Sequence, residues 1–286
     1  MAPDAEVIVV DNASVDDTVE RARKWSETHP AVRVIANPEN RGFAAAVNQG
    51  FRATQAESLL LLNPDVFLRS NIGCLVSASA SYGIAAGKLT DLAGHPQAGF
   101  TLRRLPTPAA LIFEVLGINR LWPGNLVNRW YRVLDRNLSQ AGMVEQPAGA
   151  FLMIRRDVWE KLGGLDERFH PLWFEDVDFC RRALAAGFQI QYEPAAVAAH
   201  EGGHSAARLT AGIRASYWYA SLLKYGEKHF RPWVFRGLCA AVVVGSLPRM
   251  VLGVIAGRSL SPTRTYWKIM RFAGAGLVKG RTEISR

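Results

Sequence analysis

The chain has little cysteine, few acids in its last third and no internal repeat, and each shortage excludes something. Its three cysteines, Cys74, Cys180 and Cys239, are odd in number and far apart. They give neither a disulfide framework nor a zinc-ligand spacing, so a reducing compartment is expected. The lack of low-complexity tracts excludes fibrous and largely disordered classes, and 286 residues with 49% hydrophobic content suit one large or two small globular domains. The opening MAPDAEVIVV reads as a lead into a strand rather than as a secretory leader.

Acids are scarce where bases are not. From residue 201 onward there are 14 Lys and Arg against 3 acids, whereas the first 200 residues carry 20 basic and 22 acidic side chains. A basic end on a balanced body implies an anionic partner, nucleic acid or a phospholipid surface. The run GLCAAVVVGSLPRMVLGVIAG, residues 237–257, favours the lipid. Arg236 and Arg258 flank it, and Pro248-Arg249 interrupts it, which predicts a pair of short interfacial or re-entrant helices with Trp233, Tyr266 and Trp267 as anchors. The bland alternative is a buried hairpin. Nucleic acid is set aside because basic residues alternate with apolar runs and no nucleic-acid motif is present.

What is present in the first half is alternation. EVIVV, VRVIA, SLLLLN and GIAAGKL read as strands, with helical spacing between them at Val19, Ala22 and Trp25 and at Phe43, Val47 and Phe51. Ser14 and Asp17 resemble a capping box. The expectation is an α/β fold with a doubly wound sheet, in which ligands gather at strand carboxyl ends. Asp11, Asn12, Asn63 and Asp65 lie at such ends. Residues 91–146, rich in Pro and Gly, read as loops and short helices over the sheet. GAFLMIRR returns to strand character, a short helix closes at Gly163, and Gly187 is placed to end a helix begun at Glu175.

The stretch HPLWFEDVDFCRR crowds Glu175, Asp176 and Asp178 behind Trp173 and Phe174. Acids suit a first helical turn, and Asp178 can pair with Arg182 one turn on. That account leaves the aromatics unexplained, whereas a sugar pocket with a general base would need both. Asp65 is either turn chemistry beside Pro64 or an oxygen ligand for a divalent cation. His200 is either structural or a ligand, with His204 its nearby competitor.

VIVVDNASVDDT, NRGFAAAVNQGF, LLLLNPDV, GAFLMIRRDVWEKLGGLDERF and WFEDVDFCRRALAAGF, in this order over residues 6 to about 205, resemble the family-2 glycosyltransferases of GT-A fold, in their bacterial rhamnosyltransferase-like branch. The resemblance implies a mixed α/β sheet flanked by helices, in a glycosyltransferase domain over 1–225 and a basic, apolar helical tail over 226–286. Asn63-Pro64-Asp65 stands at the family's metal motif with Asn replacing its first acid. Asp65 and His200 are then metal ligands for Mn²⁺ or Mg²⁺. Asp11, Asn12, Asn40, Arg41, Gly42 and Asn63 serve the nucleotide donor, and Trp173, Glu175 and Gly149 the acceptor. Asp176 is the catalytic base of an inverting transfer. The implied partners are a dTDP- or UDP-sugar, a saccharide or polyprenyl-linked acceptor and, through the tail, the cytoplasmic face of a membrane. Family members begin with an earlier strand and helix, so this chain's first strand matches their second. The true start then lies upstream, or the chain is a genuine truncation, completed by a partner or binding ligands without turnover. In either case a sheet without that interior strand leaves backbone groups unpaired.

Overall fold

The computed structural model describes residues 5–202, 209–257 and 259–282, so His204 and Arg258 lie outside the described residues. The alternation read from the sequence is present. Strand β1 (Val7–Asp11), helix α1 (Thr18–Thr28), β2 (Val32–Ala36), α2 (Phe43–Arg52) and β3 (Ser58–Leu62) follow in order. Next come β4 (Val66–Leu68), α3 (Gly73–Tyr82) and β5 (Gly83–Thr90). The Pro- and Gly-rich segment forms β6 (Leu102–Arg103), α4 (Pro108–Leu116), α5 (Ile118–Leu121), α6 (Leu126–Tyr131), β7 (Gly142–Met143) and β8 (Gln146–Pro147). Strand β9 (Phe151–Arg155), α7 (Arg156–Leu162), α8 (Glu175–Ala185) and β10 (Gln189–His200) complete the α/β body. Three helices follow, α9 (Ala211–His229), α10 (Pro232–Gly257) and α11 (Ser261–Lys279).

The main sheet has the order β3-β9-β5-β10-β4, with β7 also paired to β10. It is mixed: β5 and β10 run parallel, while β9 is antiparallel to both its neighbours. Strand β10 passes through Pro194, because the residues around it form a bulge where its register against β5 slips, and the strand then continues to His200. Strands β1 and β2 form a separate parallel pair, so β1 and β3 each have a single paired neighbour. The apolar run Val7–Val10 is only half-buried.

Three apolar clusters hold these layers. One face of the sheet packs Leu59, Ile84 and Leu152 against Phe51 of α2, Trp159 of α7 and Phe179 of α8. The other face packs Ala85 and Met153 against Leu75 of α3. A third cluster joins Leu111 and Val115 of α4 to Phe174 and Val177 and to the interior of α9–α11. The C-terminal helices therefore share a core with the turn that leads into α8.

Three local expectations are corrected. The capping box does not form: the Ser14 N–H donates to the Asp11 carboxylate, α1 starts at Thr18, and Asp16 accepts from the Thr18 N–H at 3.2 Å. Helix α1 buries none of its residues, because the two-stranded sheet beneath it is too narrow to cover a helix face. Pro248 does not break the tail into two helices, since α10 is continuous from Pro232 to Gly257. Pro248 cannot donate a backbone hydrogen bond, but the Arg249 guanidinium pins that turn by donating to the carbonyls of Gly245 at 2.7 Å, Glu114 at 3.0 Å and Val115.

Helix α8 ends as expected in a left-handed Gly187 (φ +86), with the Phe188 N–H bonded to Ala183 and the Gly187 N–H to Leu184. Its side contact is ionic. Asp178, fully buried, accepts from Arg182 at 2.7 Å and meets Lys228 and His229 of α9 at 2.6 Å each. Burial works against its charge, but the three partners outweigh it and hold the carboxyl below its ordinary value. Asp178→Asn leaves cations without their anion and is expected to cost about 3–5 kcal/mol in chemical denaturation.

Candidate active site

The site is assembled from loops at strand ends. Asp11, buried at the end of β1, accepts from the Ser14 N–H at 3.0 Å, and its carbonyl accepts from the Asn37 N–H at 2.9 Å. Asn12 then ties two loops together. Its amide donates to Asn40 Oδ1 at 2.9 Å and to the Gly42 carbonyl at 3.1 Å, while its Oδ1 accepts from the Arg41 N–H at 3.0 Å. The five donor-site residues expected here are thus one hydrogen-bonded unit. Gly42 must be glycine: its φ is +85, and a Cβ would lie 2.7 Å from His170 Cδ2. The next residue, Phe43, donates its N–H to the Pro171 carbonyl at 2.8 Å, which joins this unit to the acidic turn.

The acidic turn is folded by its aromatics. Trp173 and Phe174 both take left-handed backbone conformations, φ +75 and +69. Such conformations cost on the order of 1–3 kcal/mol each and persist only where packing enforces them. Here Phe174 lies 5.4 Å from the ring of Tyr225 and 6.3 Å from that of Trp218, and Ser221 of α9 donates to the Leu172 carbonyl at 2.9 Å. Trp173 is half-buried against the same helical cluster. The sharp reversal sends the next two side chains different ways.

Asp176 turns toward β8–β9. One carboxylate oxygen accepts from the Gly149 N–H at 3.0 Å and the other from its neighbour Val177 at 2.8 Å. A Cβ at Gly149 would lie 2.9 Å from Asp176 Cβ, so the space that glycine leaves is taken by this aspartate. Burial raises the Asp176 carboxyl above its ordinary value, opposed by the two N–H donors and the nearby Arg103 charge. Glu175 turns inward. It is buried, its Oε2 has no hydrogen-bond partner, and burial together with the Asp176 charge pushes its carboxyl far up. Burial thus works against the charge of both carboxyls, and far more strongly for Glu175 than for Asp176.

Asp65 and His200 also meet. His200 pairs across the antiparallel ladder with Val66, and its Nε2 stands 3.6 Å from Asp65 Oδ1 with both side chains nearly buried. Burial lowers the His200 value more than the Asp65 charge raises it, so the ring is neutral. Gln97 decides which nitrogen is free. Its Oε1 lies 3.2 Å from His200 Nδ1 and its amide donates to the His200 carbonyl at 2.9 Å, so the Nδ1 proton faces Gln97 and the Nε2 lone pair faces Asp65. The Phe100 ring stacks on the imidazole at 5.0 Å. Asn63, two residues before Asp65, has a buried Oδ1 without a partner, and its N–H donates to the Ala150 carbonyl at 3.1 Å, beside Gly149. A carboxylate 3.6 Å from an imidazole, with an unsatisfied amide oxygen two residues away in the chain, supplies donor types that suit a divalent cation. Among the described residues no cluster of three His, Cys, Asp or Glu forms, so protein side chains alone do not complete a coordination sphere.

Every expected site residue thus lies in the described structure, and hydrogen bonds link the Asn12 loop, the acidic turn and the β3–β4 turn. Gln97, Phe100 and Arg103 were not anticipated. They come from the segment 91–146, where no local pattern marks a residue that orients a histidine distant in the chain.

The structure thus has an α/β body with a mixed sheet, a carboxylate at a helix N-terminus and an Asp–His pair at neighbouring strand ends. The profile of glycosyl transferase family 2 matches residues 1–73. The low-salt glycan biosynthesis hexosyltransferase of Haloferax volcanii is 29% identical over 193 residues, 65% of this chain and 55% of that protein. The N-acetylglucosaminyl-diphospho-decaprenol L-rhamnosyltransferase of Mycobacterium tuberculosis is 28% identical over 242 residues, 79% of this chain and 76% of that protein. The chain therefore spans about half of the first relative and three quarters of the second. A mannosyltransferase of Pyrobaculum calidifontis, solved with GDP-Man and Mn²⁺, is a looser likeness, with a TM-score of 0.49 at 18% identity over 96% of this chain and 78% of that one. Over its first 73 residues the chain is thus similar to glycosyl transferase family 2, and its curated relatives named here are sugar transferases.

Glu175 yields a prediction whose sign is fixed. Its folded-state value lies above its ordinary 4.5, so its contribution to stability is full below that value and is lost as pH rises. Glu175→Gln has no such loss. Its melting temperature is expected to gain on the wild type as pH goes from mildly acidic to mildly alkaline, and a constant difference would remove Glu175 as a buried neutral acid.

Proposed function

We propose that the chain is an inverting glycosyltransferase that moves a sugar from a nucleoside diphosphate to a saccharide or polyprenyl-linked acceptor in glycan synthesis. The observation that carries this reading is the Asp176 carboxylate, oriented by the Gly149 and Val177 N–H groups and made more basic by burial. Rhamnose from a dTDP- or UDP-sugar is the proposed donor, and a lipid-linked acceptor is supported by the printed activity of the mycobacterial relative.

In the proposed step, Asp176 takes the proton of an acceptor hydroxyl as its oxygen bonds to the anomeric carbon. The bond from that carbon to the diphosphate oxygen breaks on the opposite side, the diphosphate leaves with the electron pair, and the configuration inverts. Asp65 and His200, with Asn63 beside them, would hold Mn²⁺ or Mg²⁺, which when bound neutralises charge on the departing diphosphate. Asp11, Asn12 and the 40–42 loop hold the nucleotide. Neutral Glu175 is placed to donate a hydrogen bond without competing for the acceptor proton. The protein is placed peripherally at the cytoplasmic face of a membrane, through its C-terminal helices.

A second reading, binding of nucleotide or saccharide without turnover, is favoured by one observation: β1, which carries Asp11, is paired only with β2. Two variants separate the readings. Asp176→Asn should lower transfer by about a hundredfold or more while nucleotide affinity holds, because proton transfer is the only function removed. Transfer at the wild-type rate would exclude Asp176 as base, and absence of transfer in both proteins, with binding intact, would select the second reading. Asp65→Ala should abolish the metal-dependent part of the thermal stabilisation by dTDP, UDP or GDP, and unchanged stabilisation would exclude it as a ligand.

A further inference from the structure

Helix α10 is apolar on two opposite sides, and one of them is left exposed by the described residues. Its inner stripe, Phe235, Leu238, Val242 and Gly245, is buried. Helix α11 runs antiparallel along it, with Gly253 against Pro262 and Gly276 against Cys239, and the end of α4 crosses at Gly245, where a Cβ would lie 2.0 Å from the Val115 carbonyl. With those flanks closed, Val244, Leu247, Val251 and Ile255, spaced at helical intervals, remain 48–69% exposed. By length and composition the helix could cross a bilayer. It is instead fixed to the catalytic body, because Arg249 is hydrogen-bonded to the α4 carbonyls and the inner stripe lies in the core that seats Phe174 and Val177.

The same end of α4 carries a second apolar element. Gly117, beside the Arg249 guanidinium, leads directly into α5, and there Leu121 is 87% and Trp122 65% exposed. Leu126 in α6 is 83% exposed, with Trp130 one turn on also exposed. Asn125 fixes this turn, accepting from the Asn128 N–H at 2.9 Å and donating to Asn119 at 3.0 Å. The three large side chains are therefore displayed on a braced scaffold, with no local packing that explains them.

We propose that the α5–α6 turn and the outer stripe of α10 form one surface that inserts into the interface of an anionic phospholipid bilayer. Charge selects this occupant. Residues 228–282 contain ten Lys and Arg and no Asp or Glu. On α11, Arg264, Lys268 and Arg271 are exposed on the side that also displays Trp267. An apolar stripe bordered by cations and a tryptophan is the composition of an in-plane membrane helix, with acidic headgroups meeting the cations. The surface deepens the membrane placement proposed above and adds an anchor outside the tail. It backs onto the core of the acidic turn, so it would hold the Asp176 cleft close to the bilayer plane, where a lipid-linked acceptor presents its sugar.

The test is flotation of the full chain with vesicles of phosphatidylglycerol in phosphatidylcholine, compared with phosphatidylcholine alone. Wild type is expected to float with the anionic vesicles and to be released by salt. Leu121→Ser, Trp122→Ser and Leu126→Ser combined should lower binding at least about tenfold, the scale of losing three apolar side chains from the interface, with an unchanged melting temperature. Arg264→Glu with Lys268→Glu should abolish the preference for phosphatidylglycerol. The proposal is overturned if wild type floats with neither vesicle, if it prefers neither, or if the triple variant binds like wild type. Nucleotide stabilisation measured without lipid keeps the questions apart, since its absence would sink the transferase reading and leave vesicle binding standing.

Discussion

A buried carboxylate held by three basic side chains organises this molecule. Asp178 lies out of solvent in α8 and is held by Arg182 of its own helix and by Lys228 and His229 of α9. A buried ion tolerates little displacement, because any shift that loses a partner exposes it to the full cost of desolvation. The cluster therefore sets how α8 lies against the helical layer. Asp166 extends it, accepting from Lys228 at 2.7 Å and from Arg168, and so fastens the approach to the acidic turn as well.

That fixed helix explains the crowding of aromatics and acids before it. The left-handed pair Trp173-Phe174 stores strain, and packing of Phe174 against Tyr225 and Trp218 holds it. The reversal aims Glu175 inward, where an uncharged form is favoured, and Asp176 toward the Gly149 N–H. Burial therefore weighs on the two neighbouring carboxyls unequally, which chain chemistry alone would not do.

The helical layer works on both of its faces. Its inner side supplies the aromatics and cations that shape the acidic turn, and its outer side is too apolar for water and too basic for a plain core. The proposed lipid surface would answer both demands at once, and the depth at which α10 rested on it would be linked to the cleft through α4 and Arg249.

The alternation of strands and helices in the first half, the polar residues closing several strands, the basic apolar tail and the pairing of Asp178 with Arg182 were legible in the sequence, because each is set by neighbours within a few residues. Apolar periodicity and charge counts report such local preferences directly. Tertiary structure decided the rest. Continuity of α10 through Pro248 depends on an arginine reaching carbonyls more than a hundred residues away in the chain. The free nitrogen of His200 is chosen by Gln97, at a sequence distance of 103. Ser14 gives up its capping role because Asp11 claims its N–H, and Gly149 leaves room for Asp176 only because α8 arrives there. Sequence fixed which groups were available, and long-range packing determined which of them met, since contact between distant residues leaves no trace in local periodicity.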